Sequence, residues 1–448
     1  MHLRSKYLII IAVFLLIVCG SVAFVLWNPY PSRFKNPSNK SVYIRFENGH
    51  YSFYRFGKPF FVKGASGSTF LPQLHAAGGN TIRTWDTENL DSLLASAERN
   101  HVAVVVGLFM PYNDNMDAFY NNDAKVEALL NRYQGIIKKY HGNKTILCWC
   151  LGNEMAYPVR PQFLKFYTVL NRFIDMIHHE DPDHPVTTTL INFQRQYLIN
   201  IKLWTHFDFI CFNLFSDLRK LNKDLNSFKR WWSGPFMITE WGIDGPWPVH
   251  EHTAWNAYIE PSSDKKAEQY RQLYEQYMPK QNAGFLGSMV FYWGYKQETT
   301  PTWFSLFDKD GRKSEAVNAM QYLWTGHKPE HEAPRVRYML VDGKGARDNI
   351  LYNPGAVINA QAYLQNGADR SHLHYEWYVQ PEDWFRVLHF YNQKKRATLD
   401  ELTISQNSDH FSFHAPKREG PYRVYVNISD DNGYFATCNT PFYVIAEK

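Results

Sequence analysis

Two glutamates in this chain stand at the ends of short apolar segments, where a carboxylate could take part in acid–base or nucleophilic chemistry. Glu154 ends the segment 146–154, ILCWCLGNE, and Glu240 lies in 235–242, PFMITEWG. Such segments are typical of strands buried on both faces, although a strand followed by an ordinary polar turn has the same pattern. A rigid strand fixes a carboxyl group, and low polarity raises its pKa. Two such carboxylates about 5 Å apart suffice for double displacement at a glycosidic bond.

The spacing of apolar residues predicts strands alternating with helices from about residue 43 onward. Amphipathic helices with a 3.6-residue period are clearest at 123–140, 161–179 and 264–278. Eight alternating units over roughly 280 residues match a (β/α)8 barrel. The competing architecture, an open doubly wound sheet, would need a Gly-rich phosphate-binding turn, which follows none of the candidate strands. These strands are 60–63, 81–84, 102–109, 146–151, 186–190, 209–214, 236–239 and 288–293.

Barrel enzymes collect their functional side chains at the carboxyl ends of the strands. Predicted strands 4 and 7 therefore bring Glu154 and Glu240 to opposite sides of the barrel mouth. The other residues at these ends form a polar and aromatic rim, namely 64–68, Arg83, Trp85, Asp86, Asn113, Asp114, Asn153, Asn192, Asn213, Tyr292 and Trp293.

The N-terminal segment has the features of a transmembrane signal anchor. Residues 7–27 carry no charge, and about 20 apolar residues are long enough to span a bilayer. Arg4 and Lys6 favour a cytoplasmic N-terminus, which places the rest of the chain on the extracytoplasmic side, periplasmic or extracellular. Cleavage of this segment is the alternative and would give a secreted protein. Residues 28–42 have the Pro-, Ser-, Asn- and Lys-rich composition of a linker.

Past Gly326 the helical period ends, and short strands separated by turn signals predict an antiparallel, immunoglobulin-like β-sandwich. The predicted division is thus an anchor at 1–27, a linker at 28–42, a barrel at 43–326 and a sandwich at 327–448. The candidate sandwich strands are 336–341, 357–364, 375–379, 411–413, 422–428 and 442–446.

Composition narrows the class of ligand. Aromatic residues make up 17% of the 448 residues, which suits a large core and also surfaces that stack on sugar rings. The formal net charge is only +5, without a long Lys/Arg block, which argues against nucleic acid as a partner.

Four segments, taken in order, resemble the clan A glycoside hydrolases, which are retaining enzymes built on a (β/α)8 barrel. They are NTIRTW at 80–85, WCLGNE ending in Glu154, ITEWG around Glu240 and GSMVFYWG at 287–294. The resemblance covers about residues 46–325.

Two finer similarities point to particular families within this clan. PFFVKG at 59–64, followed by NTIRTWD, is similar to the β-1,3-glucan transferases of glycoside hydrolase family 72. DKDGRKSEAV at 308–317 is similar to the segment that closes the barrel domain of family 2.

The resemblance implies roles for the matching residues. Glu154 would be the acid/base and Glu240 the nucleophile, and Asn153 would hydrogen-bond the sugar 2-hydroxyl. Arg83 would lie beneath Glu240 and hold it ionised, unless it forms a purely structural ion pair. Trp293 would form an apolar floor under the sugar, unless it is ordinary barrel packing. No metal or organic cofactor is implied. The predicted substrate-binding residues are Arg83, Asn153, Asn213, Tyr292 and Trp293.

One position departs from the pattern of the clan. Many members have a tyrosine or histidine after strand 6 that touches the nucleophile, and Phe215 stands there in this chain. Tyr292 and Tyr295 are the candidates to replace it, and the sequence does not decide between them.

These observations predict a membrane-anchored retaining glycoside hydrolase or transglycosylase that acts on a β-linked polysaccharide or oligosaccharide, with β-1,3-glucan as first candidate. The sandwich would brace the barrel or bind glycan. A second hypothesis is an inactive, anchored glycan-binding or scaffold protein in polysaccharide export, and a third is an α/β enzyme of unrelated chemistry.

Overall fold

The computed structural model describes residues 11–15, 19–20, 23, 29–34, 40–112, 116–158, 164–246, 251–365, 371–382 and 396–445. Most of the predicted anchor and the rim residues Asn113 and Asp114 lie outside these ranges. Within them, no helix has both the length and the apolar character needed to cross a bilayer.

A three-stranded antiparallel sheet precedes the barrel and was not predicted. It consists of β1 (Val42–Glu47), β2 (His50–Arg55) and β3 (Lys58–Phe60). Asn48 and Gly49 connect the first two strands with φ values of 52° and 80°. Positive φ at both central residues is the requirement of the hairpin turn that Asn-Gly favours. The turn signal was thus present in the sequence.

Eight strands then close into a barrel, which confirms the predicted (β/α)8 architecture. Their order around the barrel is β10-β11-β4-β5-β6-β7-β8-β9, and neighbours from β5 to β10 pair in parallel. The last strand begins and ends three residues before its predicted position. The strands are β4 (Val62–Ser66), β5 (Thr81–Arg83), β6 (Ala103–Leu108), β7 (Ile146–Asn153), β8 (Val186–Ile191), β9 (Phe209–Asn213), β10 (Phe236–Trp241) and β11 (Phe285–Val290).

Helices connect the strands as the apolar period predicted. The helix at Asp123–Tyr140 has the predicted bounds and begins after Asn122, whose side chain accepts a hydrogen bond from the Lys125 amide at 3.1 Å. The helices are α1 (Tyr30–Arg33), α2 (Leu71–Ala76), α3 (Leu90–Arg99), α4 (Met116–Tyr120), α5 (Asp123–Tyr140), α6 (Leu164–Glu180), α7 (Arg195–Trp204), α8 (Leu218–Phe228), α9 (Ser263–Gln276) and α10 (Glu315–Thr325).

The C-terminal part is all-β and consists of two four-stranded sheets around one apolar core. The sheet orders are β12-β14-β17-β16 and β13-β19-β18-β15, and Trp377 stacks on Phe411 in the core at 5.5 Å between ring centroids. One pair, β13 with β19, is parallel rather than antiparallel. The strands are β12 (Val336–Val341), β13 (Leu351–Tyr352), β14 (Val357–Leu364), β15 (Leu373–Pro381), β16 (Thr403–Asn407), β17 (His410–His414), β18 (Gly420–Asp430) and β19 (Phe435–Val444).

A buried network of charges ties the segment before α9 to the sandwich. Glu260 accepts hydrogen bonds from Lys266 and, at 2.7 Å, from the side-chain amide of Asn439. Arg423 donates to Asn439 Oδ1 and to Glu382 Oε1, each at 2.6 Å. All five side chains are buried. The two carboxylates balance the two cations, so the group meets the condition under which buried charges are tolerated.

Asp264, in the first turn of α9, gives a pH-dependent contribution to stability. Burial raises its pKa to about 6 from an ordinary 3.8, although Arg335 lies 3.2 Å away and opposes this. Between these values the folded state retains a proton that the unfolded chain has lost. The stabilisation is therefore complete below about pH 4 and disappears as the pH rises through about 6.

Asp264→Asn should remove this dependence. Relative to wild type, the variant is expected to gain on the order of 2 kcal/mol in free energy of unfolding between pH 4 and pH 7.5. Urea unfolding of both proteins at the two pH values measures this difference, and equal differences at both would contradict the assignment.

Candidate active site

Glu154 lies just beyond β7, where the strand leaves its regular pairing with β8. The register shifts between Cys150 and Asn153, and the Glu154 amide donates to the Thr189 carbonyl oxygen at 2.9 Å. Gly152 has a φ of 78°, and a Cβ there would meet the Met155 side chain at 2.4 Å. Glu154 itself has a φ of 55°, a conformation that costs a non-glycine residue about 1 kcal/mol or more. The backbone thus turns the carboxylate away from the direction of the strand.

Glu240 is the penultimate residue of β10, and its side chain is only 8% exposed. The pairing of β10 with β9 is irregular between Ile238 and Glu240, which aligns Glu240 with Asn213. The Leu214 amide donates to the Glu240 carbonyl oxygen at 2.7 Å and fixes the backbone.

Arg83 connects the two halves of the site. Its guanidinium is 1% exposed, and Nη1 donates to Glu240 Oε1 while Nη2 donates to Asn153 Oδ1 at 2.5 Å. Burial by itself lowers the pKa of Arg83, but the adjacent Glu240 carboxylate outweighs it, and the net shift is upward. A buried cation of this kind requires its anion, so Arg83 and Glu240 act as one unit.

Two asparagines continue the hydrogen bonds to Glu154. Asn213 Nδ2 donates to Glu154 Oε1 at 2.7 Å and to Asn153 Oδ1 at 3.3 Å. Asn213 Oδ1 accepts the Thr239 hydroxyl at 2.9 Å, which fixes the orientation of the amide. Asn153 Oδ1 therefore accepts from both Arg83 and Asn213. This orientation makes its nitrogen the donor available for a ligand.

Trp85 also contacts Glu240, and no sequence pattern predicted this contact. Its Nε1 donates to Glu240 Oε1 at 2.8 Å, and the Arg83 guanidinium carbon lies 5.1 Å from the centre of its ring. The available signal was spacing, because Arg83 and Trp85 are two residues apart and an extended chain places such residues on one face. Thr239 was also missed; it occurs in ITEWG next to Glu240.

The residues after β11 have different surroundings. Trp293 is fully buried, with Phe307 at 5.1 Å and Trp324 at 6.0 Å between ring centroids, and its Nε1 donates to the Phe70 carbonyl oxygen. Because the ring is covered, it offers no face on which a sugar could stack. The prediction that Trp293 forms a floor under the sugar is therefore corrected, and the alternative, that Trp293 packs within the barrel, describes it. Tyr292 is partly exposed, and Lys296 Nζ lies 5.6 Å from its ring centre. Its predicted role in substrate binding stays a prediction.

The described residues of this cluster present two carboxylates, one guanidinium and two side-chain amides at the carboxyl ends of β5, β7, β9 and β10. Five residues form one hydrogen-bonded series, in the order Glu240, Arg83, Asn153, Asn213 and Glu154. Five of the seven predicted site residues thus belong to this series, and Arg83 is the one that bonds directly to Glu240. Among the residues that the structure describes, no group of three or more His, Cys, Asp or Glu side chains could hold a metal ion.

Solved structures with a similar fold include bacterial β-glucuronidases. The enzyme of Faecalibacterium prausnitzii matches with a TM-score of 0.51 at 20% identity, over 64% of this chain and 52% of that chain. The enzyme of Bifidobacterium dentium, complexed with coumarin-3-O-glucuronide, matches with a TM-score of 0.51 at 17% identity, over 65% and 50%. This chain therefore spans about half the length of the solved structures it matches. Such identities show likeness of fold alone. No family model and no curated protein matches the chain.

Proposed function

We propose that this chain is a retaining glycoside hydrolase or transglycosylase that acts on β-linked glycans, with Glu240 as nucleophile and Glu154 as acid/base. The observation that carries the proposal is the hydrogen-bonded series that joins these two glutamates through Arg83, Asn153 and Asn213. The fold likeness to β-glucuronidases supports it, since those proteins cleave glycosides on a similar barrel.

The first step forms a covalent intermediate. The Glu240 carboxylate attacks the anomeric carbon while the bond from that carbon to the leaving oxygen breaks, and Glu154 gives its proton to that oxygen. In the second step, Glu154 takes a proton from an incoming hydroxyl group as its oxygen attacks the anomeric carbon, and Glu240 leaves as a carboxylate. Water as the incoming group gives hydrolysis, and a sugar hydroxyl gives transfer.

The neighbouring residues have distinct roles in this mechanism. Arg83 balances the charge of Glu240 in a site that excludes most water. Asn153 directs its nitrogen toward the sugar 2-hydroxyl, because its oxygen accepts from Arg83 and Asn213. Asn213 donates a hydrogen bond to Glu154 from a neutral amide group. This hydrogen bond is compatible with both the protonated and the ionised form of the Glu154 carboxyl group.

β-1,3-Glucan is the first candidate substrate because residues 59–64 and the following NTIRTWD are similar to family 72 transferases. A β-glucuronide is the second, because the fold neighbours carry that name. We further propose an N-terminal signal anchor that keeps the barrel on the extracytoplasmic side, and an immunoglobulin-like sandwich that braces it.

The test is incubation of the full chain with β-1,3-, β-1,4- and β-1,6-glucans, β-mannan and aryl β-glucuronides, with products resolved by size. Shortened products indicate hydrolysis and lengthened ones indicate transfer. A chain that binds one of these glycans without changing it would instead support the scaffold hypothesis, which Phe215 favours at the level of sequence.

A further inference from the structure

We infer that Trp85 is the positioning residue of the nucleophile, taking the role that a tyrosine or histidine after strand 6 has in many clan members. This inference rests on the proposed function. Phe215 occupies that position here and has no hydrogen-bonding group in its side chain. The indole Nε1 of Trp85 donates a hydrogen bond to Glu240 Oε1 at 2.8 Å, although the two residues are 155 positions apart in the sequence.

Both donors to Glu240 converge on the same oxygen. Arg83 Nη1 and Trp85 Nε1 each donate to Oε1, whereas Oε2 accepts no hydrogen bond from the described part of the chain. A carboxylate oxygen has about two lone-pair sites, so Oε1 is saturated. Oε2 is therefore the oxygen that attacks the anomeric carbon, and Oε1 becomes the carbonyl oxygen of the glycosyl ester.

The Trp85 indole is itself positioned by Arg83, the other donor to Glu240. The Arg83 guanidinium carbon lies 5.1 Å from the centre of the Trp85 ring, a cation–π distance. Arg83, Trp85 and Glu240 thus restrain one another, and rotation of the carboxylate would break two hydrogen bonds to Oε1. When the ester is cleaved, the same donors stabilise the charge that returns to the carboxylate.

Trp85→Phe tests this role because it keeps an aromatic ring beside Arg83 and removes the N–H group. We expect kcat/KM for an aryl β-glycoside to fall about 10- to 100-fold, the loss of one hydrogen bond to a charged group. The acidic limb of the kcat/KM profile should also move up by about one pH unit, because the lost hydrogen bond favoured the ionised carboxylate. If Trp85 had only a structural role, Trp85→Phe would lower kcat/KM at all pH values without moving the acidic limb of the profile.

A second chain carries 3-benzothienylalanine at position 85, in which sulfur replaces the N–H group of an otherwise similar ring. It decides the question if Trp85→Phe does not fold. The matched control is Trp377→Phe, which removes an indole that donates to the Ser408 carbonyl oxygen at 2.9 Å in the sandwich, and it should leave both kcat/KM and the limb unchanged.

A benzothienyl chain with wild-type kcat/KM, or with a reduced value and an unmoved limb, would overturn the role of Trp85 alone. If the wild-type chain is inactive on all of the glycans and glycosides named above, the proposed function is overturned, and this inference is overturned with it.

Discussion

Replacing Glu240 with glutamine is expected to lower kcat about 10⁴- to 10⁶-fold, the range found when a covalent nucleophile or an essential partner is removed. Glutamine keeps an oxygen that can accept from Arg83 and Trp85, so the loss should reflect chemistry rather than unfolding. Glu154→Gln should cost less, about 10²- to 10⁴-fold, because it removes only proton transfer. Initial rates on the substrate found in the glycan panel measure both, with the exposed Glu98→Gln of α3 as control.

Azide distinguishes the two glutamates by the configuration of its product. In Glu240→Ala, azide can enter the space of the missing nucleophile and attack directly, which gives an α-glycosyl azide from a β-glycoside. In Glu154→Ala, azide can attack the covalent intermediate on Glu240, which gives a β-glycosyl azide. The same configuration from both variants, or full activity in either glutamine variant, would contradict the assigned roles.

Arg423→Met is expected to lower the free energy of unfolding by about 3–5 kcal/mol, the usual cost of removing one partner from a buried ion pair. The substitution leaves the Glu382 carboxylate buried without its cation and removes the donor to Asn439 Oδ1 and to the Tyr258 carbonyl oxygen. Burial already raises the pKa of Glu382 despite Arg423, so loss of the cation should favour the protonated acid still more. Urea unfolding at pH 7.5 measures the change.

Two further variants separate buried charge from packing. Adding Glu382→Leu to Arg423→Met removes both charges and should recover part of the lost stability. Lys139→Met breaks a 2.6 Å ion pair with Asp91 whose side chains are both more than half exposed, and it should cost much less stability than Arg423→Met because solvent screens the pair. Equal costs for Arg423→Met and Lys139→Met would show that the network around Glu260 does not stabilise the fold.

The local pattern of apolar residues was sufficient to predict the bounds of several helices and strands. Helix 123–140 and strands 336–341 and 357–364 have their predicted bounds. In strand 357–364 the buried residues alternate from end to end, whereas the burial of 336–341 is irregular because its pairing shifts register between Val336 and Tyr338. The pattern of apolar residues did not predict the bounds of β11. The predicted strand, 288–293, includes the aromatic run at 291–293, whereas the strand in the structure begins at Phe285 and ends at Val290. Aromatic residues suit buried loops as well as strands, so composition could not place that boundary.

The sequence by itself determined the barrel, the all-β C-terminal part and the delivery of Glu154 and Glu240 to strand ends, because these depend on hydrophobic period and chain order. It could also suggest Arg83 and Asn153 through resemblance. Only the tertiary structure decided that the Trp85 indole donates to Glu240. Hydrogen-bond partners across the barrel depend on closure and register between residues up to 157 positions apart, and no local pattern encodes these. For the same reason, burial of Trp293 became visible only once the barrel was closed.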